Sequence, residues 1–140
     1  MKKVMSLLLT ITLLCSGLFT CALAEEIIPR SSNYFTSYGT SMSAVGGGRI
    51  AITFRAVGTD ICNQIGVASY SVERLDDDGN WERVSGLLSG QTGSNVASYS
   101  FGRYFQGVAG ETYRVVVTFY CAIGDGCEFK AYTSGRVTAK

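Results

Sequence analysis

Between Tyr113 and Cys121 the chain alternates with a period of two. Tyr113, Val115, Val117, Phe119 and Cys121 fall on one side, and Arg114, Val116, Thr118 and Tyr120 on the other. A helix repeats every 3.6 residues and would scatter these five around its axis, whereas a strand must line them up. The run VVVTFY within it belongs in the middle of a sheet, because on an open edge it would template aggregation. The segment Glu111 to Ala122 therefore predicts a central strand.

The same pattern recurs along the chain. In Arg49 to Val57, Ile50, Ile52 and Phe54 oppose Arg49, Ala51, Thr53 and Arg55. Val67 to Leu75 resumes the alternation through Ala68, Tyr70 and Val72, and Val96 to Phe101 places Ala97, Tyr99 and Phe101 together. Tyr34 to Met42 reads as a first edge strand and Glu128 to Thr138 as a closing one. The polar run Asp76 to Asn80, with its Asp-Gly step, is a hairpin turn leading into Trp81 to Val84. Gly46 to Gly48 is a turn, Gly58 to Gly66 a loop, and Gly86 to Asn95 a connection with a short extended piece at Leu87-Leu88. About seven short strands, with turns at 8–12-residue spacing and no helical periodicity, predict an all-β domain. Its expected form is a single antiparallel two-sheet sandwich.

The first 24 residues read differently. Lys2 and Lys3 precede an apolar run from Leu7, and Ala22-Leu23-Ala24 ends it, which is the order of a secretory signal peptide cleaved after Ala24. The apolar run breaks up too early for a membrane span, and no second one follows. The expected organisation is a leader at 1–24, an exposed lead-in at 25–33 with Pro29, and one domain at 34–140. Cleavage would remove 24 of 140 residues and two of 12 basic ones, leaving 116 residues with 10 basic and 11 acidic side chains. That balance offers no field for nucleic acid. The expected location is extracellular, after export from a bacterial cell.

Histidine is absent from the whole chain. Ser-His-Asp and Cys-His nucleophile systems are thereby excluded, along with the commonest metal ligand. Asp76, Asp78 and Asn80 share the spacing of a calcium loop's first ligands, but Trp81 stands where that loop needs glycine. Glu73, Glu82, Glu111, Asp125 and Glu128 sit on strand faces or in turns, where solvated charges are usual. No catalytic residue, metal or cofactor is expected, and the chain reads as a non-enzyme.

Two groups of residues remain. Cys15 and Cys21 would leave with the leader, so the exported chain keeps Cys62, Cys121 and Cys127. In an oxidising compartment an odd count implies one disulfide and one spare thiol. Placement in a sandwich favours Cys62–Cys121, with Cys62–Cys127 and Cys121–Cys127 as alternatives. A monomer is expected, the spare cysteine leaving open a disulfide-linked dimer. The second group is aromatic. Tyr34, Tyr38, Tyr104, Tyr120 and Tyr132, with Phe35 and Phe105, exceed what the inward pattern needs. Gathered on one open sheet they would form a platform for sugar rings or a protein partner.

Segment Gly110 to Val117 resembles the penultimate strand of immunoglobulin-like and fibronectin-III-like domains. The resemblance implies that Tyr113 folds back onto upstream backbone. A second resemblance is carried by an ordered set of motifs: Arg30-Ser31-Ser32-x-Tyr34, Gly48-Arg49-Ile50-x-Ile52-x-Phe54, Ile65-Gly66, the Asp-Gly-Asn-Trp hairpin, Tyr113 to Tyr120, and Val137-Thr138-Ala139. This order is similar to that in an uncharacterised family of small secreted proteins from Gram-positive, gut-dwelling bacteria. The resemblance implies export and fold and transfers no active-site residue. The expected function is binding of a protein or carbohydrate partner at or beyond a cell surface. The alternative is a small secreted effector, such as a bacteriocin-like toxin or an enzyme inhibitor.

Overall fold

The computed structural model describes residues 32–140. The leader and nearly all of the lead-in lie outside the described residues. Eight strands and no helix make up the described chain: β1 (Phe35–Gly46), β2 (Arg49–Leu75), β3 (Trp81–Arg83), β4 (Leu88–Ser89), β5 (Thr92–Gln106), β6 (Thr112–Ile123), β7 (Gly126–Thr133) and β8 (Val137–Thr138). Every pairing is antiparallel.

β2, with 27 residues, organises the rest. Along one edge it pairs with β1 through Arg49–Gly58 and then with β6 through Gln64–Arg74. Along the other edge run β5, β4 and β3. The sequence leads one to expect two sheets, but hydrogen bonding runs through a single eight-stranded one. Gly58 to Gly66, which reads as a loop, continues the strand.

That one sheet encloses a core because β2 folds over on itself. Phe54 and Tyr70 are 16 residues apart, which is roughly 50 Å along a straight strand. Their ring centroids stand 4.9 Å apart. The bend falls between Val57 and Cys62, where residues 58–61 of β2 face only Ala97 of β5. Such an irregularity increases bend and twist together. Gly66 suits a second tight place. Its φ is +153°, and a Cβ there would collide with the Gln91 carbonyl.

The curled sheet buries Ile50, Ile52, Phe54 and Ala56 from the first half of β2 against Ile65, Val67, Tyr70 and Val72 from the second. Tyr113, Val115, Val117, Phe119 and Cys121 of β6 complete the core. The alternation expected for β6 is therefore present residue for residue. Ala68 and Ala97 are exposed, against expectation. A bulge between Val67 and Ser69 moves Ala68 to the outer face, and Ala97 lies opposite the bend. The closing strand divides into β7 and β8. Between them buried Ser134 accepts the Val115 N–H through Oγ at 2.8 Å. The curl stays open between β1 and β7, which are not hydrogen-bonded to each other.

Candidate functional site

A groove of about 570 Å³ lies at this open side, lined by Ser37, Tyr38, Gly39, Thr40, Ser41, Thr53, Arg55, Ser100 and Tyr132. Five consecutive residues of β1 form one wall, so the strand edge itself faces the groove. The outer-face residues come from register. Gly39, Arg55 and Ser100 align across β1, β2 and β5, and Ser41, Thr53 and Gly102 form the next row. Small side chains thus surround one long cation.

Among the described residues the Arg55 guanidinium has neither a carboxylate nor a hydrogen-bond partner. Arg83 and Arg136 are likewise without such partners among the described residues, whereas the other described arginines are engaged, Arg103 with the Gly102 carbonyl and the Phe101 ring. Arg114 bonds Glu73 at 2.8 Å and lies 4.2 Å over Trp81, Arg74 pairs with Glu82, and Arg49 lies 3.9 Å over Tyr104. Thr40 adds a second unused group, because its hydroxyl is buried and has no hydrogen-bond partner. An unmatched buried hydroxyl costs about 1–3 kcal/mol and is normally avoided.

The five tyrosines do not gather into one platform. Tyr38 and Tyr132 line the groove, 6.2 Å apart and nearly perpendicular, each also packed on Phe119. Tyr104 lies on the outer face under Arg49, and Tyr120 packs against Phe129 at 4.9 Å. Tyr34 packs close to Gly126. Three of the five therefore serve other surfaces, and perpendicular rings cannot stack on one flat sugar face.

Cys62 and Cys121 are both fully buried and face each other. Cys121 donates to the Cys62 sulfur at 3.2 Å, and Cys62 donates to the Asp60 carbonyl at 3.3 Å. A covalent bond would hold the sulfurs about 2.05 Å apart, so the pair is present as two thiols. Burial, then the contact with Cys62, push the Cys121 thiol up to about 12. Cys127 stands on β7 opposite Ala122 and is not a free thiol.

Several acidic side chains have local tasks. Asp76 Oδ1 accepts the N–H groups of Asp78 at 3.0 Å and Asn80 at 2.7 Å, which ties the hairpin turn. Glu128 contacts buried Lys130 at 2.9 Å. Among the described residues no three His, Cys, Asp or Glu side chains cluster as metal ligands would. No described helix is long and apolar enough to cross a membrane.

Arg55 and Thr40 escaped the sequence reading. Arg55 sits in a plain alternating strand, where a solvated charge is the default. Its position across from Gly39 and beside Ser100 exists only once three strands are in register. Comparison with known proteins adds little to this geometry. No family model matches the chain, and no curated protein does. A solved structure, of a protein from Archaeoglobus fulgidus, shares 16% identity over 76% of this chain and 98% of its own, with a TM-score of 0.39.

Proposed function

We propose that this chain is an exported, non-catalytic binding module whose ligand site is the groove along β1. The observation that carries the reading is Arg55, an unpaired guanidinium in a groove walled by Ser37, Ser41, Thr53 and Ser100 and closed by Tyr38 and Tyr132. Guanidinium and hydroxyl donors together suit an anion, and a carboxylate matches the planar guanidinium fork. The absence of histidine and the engagement of Glu73, Glu82 and Glu128 in ion pairs argue for recognition without turnover.

Export rests on the leader-like order of residues 1–24 and on the resemblance to small secreted bacterial proteins. In an oxidising compartment Cys62 and Cys121 are the pair that would close, since their sulfurs already touch.

Peptide and glycan arrays probed with the wild-type chain and with Arg55→Glu test the reading. The wild type is expected to retain carboxylate-bearing or sulfated features that the variant loses. Identical patterns for the two proteins would overturn it.

A further inference from the structure

The groove differs from a surface pocket in having a strand edge for a wall, and this narrows the class of ligand. Among the described residues β1 pairs only with β2, so its other edge presents unpaired backbone groups over a strand of 12 residues. Natural sheets guard such edges with charges, prolines or bulges. β7, on the far side of the opening, is guarded: Glu128 and Lys130 lie on it, half-buried and buried, and contact each other at 2.9 Å. β1 reads FTSYGTSMSAVG, with no charge and no proline, and its register shifts fall only at its two ends, leaving Ser37 to Ala44 regular. The two sides of one opening are thus treated oppositely.

From this geometry we infer that the groove takes an extended peptide, which adds to β1 as a further strand and carries an acidic side chain toward Arg55. This rests on the binding role proposed above and names its ligand class. Main-chain hydrogen bonds to a free edge provide affinity, and alternate side chains provide specificity. The register says where the acidic residue goes. Gly39 lies directly between Arg55 and the free edge on the outer face. Strands are spaced about 4.8 Å apart, and neighbours in one row point the same way. A residue of the added strand opposite Gly39 therefore faces Arg55 across a position with no side chain of its own, beside the Tyr132 hydroxyl, which stands 3.7 Å from where a Cβ on Gly39 would be. Residues on either side of it point inward, toward Tyr38 and Tyr132. The buried, unmatched Thr40 hydroxyl lies along the same stretch of edge.

Charge argues against a second copy as the occupant. A second β1, FTSYGTSMSAVG, carries no acidic residue, so pairing it with the first would leave both Arg55 side chains unmatched.

A display library of random peptides, of about the length of β1, selected on the full chain recovered from the medium of producing cells tests the proposal. Selected sequences should lack proline and carry one Asp or Glu flanked by β-formers. Their affinity should fall roughly tenfold on Arg55→Gln, as expected for loss of one charge-assisted contact. N-methylation of alternate peptide nitrogens should abolish binding, while the intervening ones tolerate it. Binding unaffected by N-methylation at every position would overturn the strand mode. Retention of only sulfated or uronate oligosaccharides, sensitive to Arg55→Gln, would overturn the peptide but leave the groove reading standing. A concentration-dependent dimer that excludes peptide would assign β1 to self-pairing. No Arg55-dependent ligand of either kind would remove both readings.

Discussion

The Tyr113 hydroxyl accepts the backbone N–H of Val108 at 2.8 Å, and its ring packs against Phe105 at 5.4 Å. One side chain at the start of β6 therefore pins the preceding loop to the core. Tyr113→Phe keeps the ring and removes the partner of the half-exposed Val108 N–H, which should cost about 0.5–1.5 kcal/mol. Chemical denaturation of the two proteins, with unchanged slope and a lower midpoint for the variant, checks this.

Gly66 should be among the least replaceable glycines. Its φ of +153° and the Gln91 carbonyl both oppose a side chain, whereas Gly86 has open space around it. Gly66→Ala should lower stability by at least about 1–3 kcal/mol. Gly86→Ala should change it by under about 0.5 kcal/mol. Thermal melts of the pair measure the difference.

The cysteine pair yields a pH dependence that depends on redox state. With both thiols reduced, burial and Cys62 hold the Cys121 thiol up from 9.0 to about 12 in the folded protein. A raised acid stabilises the fold below its unfolded pKa, and that contribution disappears as pH climbs through the folded value. The reduced protein should therefore lose stability between about pH 9 and 12. Closing a Cys62–Cys121 bond removes the Cys121 titration, and the oxidised protein should lack this loss. Melts in that range with and without reductant, alongside intact mass, separate the two. A protein isolated from the medium with both residues alkylatable under denaturing, non-reducing conditions would refute closure on export.

Thr40→Val should stabilise the unliganded protein or leave it unchanged, because it removes a buried hydroxyl that has no partner. The same substitution should weaken a ligand that uses that hydroxyl. Melting temperature and peptide affinity moving in opposite directions would connect Thr40 to binding.

Much of the architecture was legible in the chain, because alternation encodes which face of a strand is buried. β6 is read correctly at every core position, as is the Asp76–Asn80 hairpin. The strand length of β2 was not legible. Gly58, Asp60, Asn63 and Gly66 look like a loop when taken locally, and they join the sheet because β5 and β6 pair with the segment around Gln64–Gly66. The resulting single curled sheet replaces the expected pair of sheets. Reasoning about ends of strands could bring Cys62 and Cys121 together, but the disulfide expected of them is not formed, the two standing as thiols 3.2 Å apart. The groove could not, since Gly39, Arg55 and Ser100 are meaningful together only in register.

Amide hydrogen exchange measured with and without the tightest acidic peptide from the display selection tests the central claim most directly. Protection is expected at Ser37 to Ser41, on the β1 edge, with little change in the exposed Val84–Leu88 segment. Protection confined to Val84–Leu88, or spread over the outer face of β6 and β7 around Tyr120 and Phe129, would contradict the assignment of the binding site to β1 and Arg55.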